Sequence, residues 1–384
     1  MAGVLDGVRV FDLTLAAVGP WSAKLLGQLG ADVIHVEGPK PELAHHIPPE
    51  INGTGVLYIS ANYNKRNIIL DLKDDGDRAK AFRLLEHCDV FIQNMRPGAV
   101  EKLGLGYDEV ARVRPGIIYV SASAYGRVGP MATEAGVDPL LQAFCGWSSI
   151  TGSPASDGEM FRHFAHLDLT TSSMIVEAVL AALFARARDG QGQHIEIEML
   201  SAALSLQSSR LAEFFAQPKE PPPQPLGSAA ATTVPHQMFR CSDGRWLAVG
   251  VETDEQWPRF CTAVGLVELG EDARFRTNRG RVSNRTELIP RLEAHLATKP
   301  LSWWALRLTA ARVPHARPTD FDDLRHHPQI VENGFITDLD TPHFGTIAVE
   351  GPPWRFSRTP TRPVVAGGLA GEHTAEVLAE LDHG

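Results

Sequence analysis

The stretch from Asp168 to Met199, D-L-T-T-S-S-M-I-V-E-A-V-L-A-A-L-F-A-R-A-R-D-G-Q-G-Q-H-I-E-I-E-M, decides how this chain folds. Ile175, Ala178, Val179, Ala182 and Leu183 recur at helical spacing. Arg186 and Arg188 fill the closing turn, where cations suit the helix dipole, and Gly190 supplies a left-handed exit. A strand follows in H-I-E-I-E-M. Asp168 is therefore expected at or just before the N-terminus of a buried helix. Unpaired N–H groups and the positive dipole end there favour an ionised carboxylate, which suits a helix cap or a nucleophile.

Upstream, strand and helix alternate. Val8–Leu13, Asp32–Val36, Asp89–Gln93 and Ile117–Ala122 are short apolar or β-branched runs, as strands buried on both faces require. Helical patterns near Trp21–Leu29, Asp77–Leu85 and Tyr107–Arg112 separate them. This order predicts an α/β fold with a large, doubly wound, Rossmann-like domain. A helix over Leu200–Phe215 follows the strand His194–Met199. Gln217–Leu226 carries five prolines and reads as an extended connector. Beyond it, Gln237–Cys241 and Arg245–Val251 flank S-D-G as a hairpin, with helices near Asp254–Val264, Arg285–Ala297 and Leu301–Ala311. The expected organisation is a large domain over 1–216, a linker over 217–227, a smaller α+β domain over 228–332 and a return segment over 333–384. That last segment holds a hairpin over Phe335–Val349 and a helix near Gly371–Leu381.

Of the 384 residues, 43% are apolar and 21% charged, which is ordinary for a globular protein. A net charge of −10 argues against nucleic acid as a partner. Two basic clusters, Lys65 with Arg66 and Lys73, and Arg96 with Lys102, read as solvated loops or as sites for a small anion. The four cysteines are widely spaced, as reduced thiols in a cytoplasmic protein would be. No apolar signal core opens the chain. Charges interrupt every long apolar window, Glu177 within the Asp168 helix included, so no membrane span is expected.

The same stretch, D-x-x-T followed by A-x-L-A-A-L-x-A-R-x-R-x-G-x-G-Q, resembles the signature of the class III (CaiB/BaiF-type) CoA-transferase family. Six further segments agree in order: Leu5–Asp12, Gly30–Glu37, Asn64–Lys73, Asn94–Gly98, Asp243–Trp246 and Gly371–Leu381. The resemblance implies a large domain built from both chain ends, a small middle domain and an interlocked homodimer. It implies acyl-CoA and a carboxylic acid as substrates, no permanently bound cofactor and no metal. Asp168 would form the acyl–enzyme intermediates. CoA contacts would come from Ala16, Ala17 and Val18, from Leu70 and Lys73, and from Asn94, Met95 and Arg96, with Lys73 and Arg96 meeting phosphates. Two departures, Gly38 after Glu37 and P-L-G-S-A-A-A at Pro225–Ala231 in place of a glycine run, point away from formyl or oxalyl substrates.

Each candidate also has a plainer reading. Gly126 and Gly129, in A-Y-G-R-V-G-P, would let backbone amides approach a ligand or simply form a turn. Asp138 either stands near Asp168, as an acid does in relatives, or caps the helix beginning at Pro139. His163 and His166 have an H-x-x-H spacing without a third ligand, so His166 reads better as pocket lining or surface than as a metal ligand. A helix N-terminus at Asp168 would also stabilise an oxyanion on the attacked carbonyl. One rival activity is racemisation of a 2-methylacyl-CoA, which needs two bases; family members that perform it carry histidine where Val137 stands. The other rival is a CoA-ester binding protein without turnover. An oxidoreductase has fold analogy alone, since neither G-x-G-x-x-G after the first strand nor G-K-S/T is present.

Overall fold

The computed structural model describes residues 2–155, 159–216 and 224–382, so most of the proline connector lies outside the described residues. The chain forms two compact units. One comprises Met1–Gly146, Arg162–Lys219 and Pro328–Gly384, the other Trp147–Phe161 and Glu220–His327.

In the first unit the principal elements are β1 (Arg9–Leu13), α1 (Val18–Gln28), β2 (Asp32–Glu37), α2 (Val56–Asn62), β3 (Arg66–Ile69), α3 (Asp75–Leu85), β4 (Val90–Gln93), α4 (Tyr107–Val113), β5 (Ile118–Ser123), α5 (Asp138–Phe144), α6 (His166–Asp189), β6 (Gln193–Glu198), α7 (Met199–Leu206) and α8 (Ser208–Ala216). Six strands form one sheet in the order β3-β2-β1-β4-β5-β6, and every pair is parallel. The central strands are apolar on both faces because helices cover both. On one face Phe11, Phe91 and Tyr119 stack at 5.4 and 4.5 Å. The strand order reverses between β1 and β4. Their following loops leave in opposite directions, and a crevice opens beyond their C-terminal ends.

The second unit contains β7 (His236–Arg240), β8 (Trp246–Gly250), α9 (Gln256–Val264), α10 (Arg285–Leu296), α11 (Leu301–Ala310) and β9 (His315–Ala316). Its three antiparallel strands, in the order β9-β8-β7, share a core with Trp257, Phe260, Leu292 and Trp304. The chain then returns through the hairpin β10 (Ile336–Thr341) and β11 (Gly345–Glu350) to α12 (Thr374–Glu380), whose Val377 completes the core of the first unit.

Helix α6 lies along α1 and against β5 and β6, and leaves through Gly190 at φ 76°. By length and apolar composition alone it is sufficient to cross a membrane, Glu177 notwithstanding. The helix expected over Leu200–Phe215 divides into α7 and α8 at Gln207, whose side chain donates to the Cys145 and Ala203 carbonyls. β3 was not anticipated as a strand, because its outward face carries charge. Arg66 there pairs with Asp32 and Glu380, at 2.7 Å to Asp32.

Within the first basic cluster, Lys65 is neither solvated nor open to an anion. Lys65 is fully buried and donates to Asp12 at 2.8 Å and to Asn62 at 2.9 Å. His35 approaches the same Asp12 carboxylate at 3.0 Å. Burial alone would raise the Asp12 carboxyl, but Lys65 and His35 hold it well below the ordinary value. Removing one member of such a pair strands the other charge without water. Lys65→Met is therefore expected to cost roughly 3–5 kcal/mol in urea unfolding. Combining it with Asp12→Asn should recover part of that loss.

Candidate active site

A cavity of about 570 Å³ lies at the strand ends of the first unit. Ala16, Ala17 and Val18 after β1, Asn94 after β4, Ala122 and Ser123 in β5, and Met199 after β6 all line it. Trp21, Ile47, Val56 and Leu57 make much of the remaining wall apolar. Asp138 and Asp168 are its two carboxylates.

The loop after β1 is held from two sides. Asn94 pairs with the Leu15 backbone through two 2.8 Å bonds, and Glu42 accepts the Ala16 N–H at 2.7 Å. These clamps fix Ala16 at φ 63°, a conformation that costs a non-glycine residue strain. The loop also runs tightly over α1: a Cβ at Gly19 would lie 2.2 Å from Thr14 Cβ. Val18, the first residue of α1, lines the cavity, and a helix start leaves its N–H no intrahelical acceptor.

Asp168 is the third residue of α6 rather than its cap. The capping position is Ala165, at φ 47°, which has no side chain able to accept. Asp138 does that work from α5. Its Oδ2 accepts the N–H groups of Leu167 at 2.8 Å and Asp168 at 3.1 Å. Asp138 thus stands beside Asp168 and is a cap as well, though for α6 and not for its own helix. One turn on, Gln142 Oε1 accepts the His163 N–H at 3.0 Å, and its Nε2 donates to the His163 carbonyl at 2.5 Å and to Asp138. Two side chains of one helix therefore fix the chain from His163 to Asp168.

This arrangement overturns the expectation of a plainly ionised Asp168. Burial, and then the adjacent Asp138 charge, push its carboxyl up to about 7. Two amides that would have stabilised the anion are committed to Asp138, so they are equally unavailable to an oxyanion. Ser172, one turn below, brings its hydroxyl within 2.7 Å of the Val18 and Asp168 carbonyls and so couples α6 to α1.

The structure brings together Ala16, Ala17, Val18, Asn94, Asp138 and Asp168 from the expected set. The others lie off the cavity wall. The Leu70 side chain is buried in the core of the first unit. Met95 is half-buried against that core, and Lys73 and Arg96 are exposed on strand-end loops. Gly126 and Gly129 adopt φ 97° and 96° in the turns after β5, and His166 is exposed, its ring 5.6 Å from that of His163. Among the described residues no cluster of three or more His, Cys, Asp or Glu is arranged to hold a metal ion. Glu42, Gln142 and Arg162 were not anticipated. Only Gln142 left a trace in the sequence, its i,i+4 spacing from Asp138.

The family model described as CoA-transferase family III matches residues 5–374. The chain belongs to CoA-transferase family III. It is 33% identical over 380 residues to a mouse (Mus musculus) protein named succinyl-CoA:glutarate CoA-transferase, covering 98% of this chain and 86% of that one. It is 31% identical over 393 residues to a Haloarcula hispanica protein named succinyl-CoA:mesaconate CoA-transferase, covering 100% and 97%. The crystal structure of a CaiB/BaiF family protein from Brucella suis superposes with a TM-score of 0.87 at 30% identity, covering 100% of both chains.

Asp168 carries a stability cost in this setting. The unfolded chain releases its proton near the ordinary value of 3.8 and the folded chain near 7, so stability falls as pH climbs through that interval. Asp168→Asn, neutral throughout, should raise the Tm by a few degrees at pH 8 and by less at pH 5, read by thermal unfolding.

Proposed function

We propose that the chain moves CoA from an acyl-CoA thioester to a carboxylic acid, with Asp168 as the covalent carrier. The Asp168 carboxylate attacks the thioester carbonyl, the C–S bond breaks, and an aspartyl–acyl anhydride forms as CoA thiolate leaves. The thiolate attacks the aspartyl carbonyl and expels the first acid, giving an aspartyl-CoA thioester. The acceptor carboxylate attacks that thioester, forming a second anhydride and releasing the thiolate again. Thiolate attack on the acceptor's acyl carbon yields the new acyl-CoA and restores Asp168. Every bond broken is matched by one formed, and no redox partner enters.

The observation that carries this reading is a carboxyl held near 7 on the wall of a largely apolar cavity at the sheet's switch point. A weakly solvated carboxylate is a better nucleophile than one in bulk water, and at neutral pH much of this one is ionised. The Val18 amide at the start of α1 is the donor we assign to the oxyanion, in place of those of α6. Lys73 and Arg96, exposed on strand-end loops, are assigned to the CoA phosphates. The relatives' names, each pairing an acyl-CoA with an acid, support the reaction class.

We also read the chain as a homodimer working in the cytoplasm, off the membrane. Phe184, Leu206 and Phe215 of α6 to α8 stand exposed on the isolated chain, a surface suited to self-association, and light scattering reads the dimer mass. All four thiols are free.

Incubation with succinyl-CoA and acid quenching should leave an acyl or CoA adduct on Asp168 by mass spectrometry, absent in Asp168→Ala. Turnover surviving that substitution would contradict the assignment. The acidic limb of kcat/KM should fall with an apparent pKa near 7, and Asp138→Asn, which keeps an acceptor oxygen but loses the charge, should move it to lower pH. A racemase would instead exchange the α-proton of a 2-methylacyl-CoA with deuterated solvent and need no acceptor acid.

A further inference from the structure

The cavity wall carries one cation. Arg162 lines the same space as Asp138 and Asp168, and no ion pair or hydrogen bond among the described residues engages its guanidinium. Gln142 holds His163 by both backbone groups, as a neighbouring strand would. Arg162 and Phe164, the residues on either side of His163, both line the cavity. The clamp on His163, next to Arg162, and the cap on Asp168 both arise from α5, one turn apart.

An apolar cavity with two acids repels an incoming anion. A second carboxylate on that anion would lose its water against Trp21, Ile47 and Leu57, and Arg162 is the lining residue whose positive charge offsets the loss. Guanidinium meets carboxylate by a planar, two-point pair that fixes orientation as well as charge. We propose that Arg162 reads the distal carboxylate of dicarboxylic acids and their CoA half-esters while the near carboxyl reacts at Asp168. Arg162 makes the site select dicarboxylates over monocarboxylates of equal length. The inference rests on the Asp168 reading above and adds a substrate class to it.

The test compares glutarate with pentanoate as acceptors, and succinyl-CoA with butyryl-CoA as donors. Each pair matches in length and differs in the distal carboxylate. The wild-type chain should favour the diacid member in kcat/KM, and Arg162→Gln should shrink that preference roughly ten- to a hundred-fold, with Arg162→Lys between the two. A preference ratio left unchanged by Arg162→Gln overturns the proposal. If both members slow together, Arg162 meets the CoA phosphates or only shapes the wall; if neither slows, it touches no substrate. A wild-type chain that favours the monoacids overturns it as well, with CoA transfer on Asp168 intact. Calorimetric binding of glutarate and of pentanoate to the free protein keeps the two readings apart. Glutarate affinity lost in Arg162→Gln but kept in Asp168→Asn supports the Arg162 assignment even where no Asp168 adduct forms. Equal glutarate affinity in wild type and Arg162→Gln counts against it even where the adduct does.

Discussion

A carboxylate on one helix completes the N-terminus of another: Asp138 takes the Leu167 and Asp168 amides that Ala165 has no side chain to cap. Everything distinctive about the site follows from that substitution of partners. A helix start ordinarily lowers a nearby acid, because free amides and the dipole welcome negative charge. Here the amides are already spent, and the group that spent them is itself an anion. Burial then acts unopposed, and Asp168 is pushed to about 7. The folding cost of that arrangement is borne by the rest of the unit, a common pattern where an acid must be reactive rather than stabilising.

The parallel sheet provides the frame. Its order places the ends of β1, β4, β5 and β6 around one crevice, and each end contributes wall. The loop after β1 would relax from its left-handed residue at Ala16 without Asn94 and Glu42. On the other side, Gln142 extends the hold of α5 from Asp168 back to His163. The site is thus a set of short irregular segments, each pinned by side chains from a regular element.

Much of this was legible in the sequence. Parallel strands buried on both faces are written as short apolar runs, so β1, β2, β4 and β5 were found within a residue or two, and Gly190 marked the end of α6 because few other residues adopt its φ. β3 was missed because an edge strand need be apolar on one face only, and the charges of Arg66 are answered by Asp32 and Glu380, distant in sequence. Lys65 deceived for the same reason: its partner Asp12 lies 53 residues away. Asp168 was recognisable, but its protonation was not, since local sequence shows a helix start and tertiary structure decides who occupies its amides.

The most direct measurement is a ¹³C NMR titration of the aspartate side-chain carboxyls, with the Asp168 resonance assigned by its loss in Asp168→Asn. The account predicts a midpoint near 7 in the free protein. A midpoint at the ordinary aspartate value of 3.8 would mean that the helix amides still serve Asp168, and would contradict it.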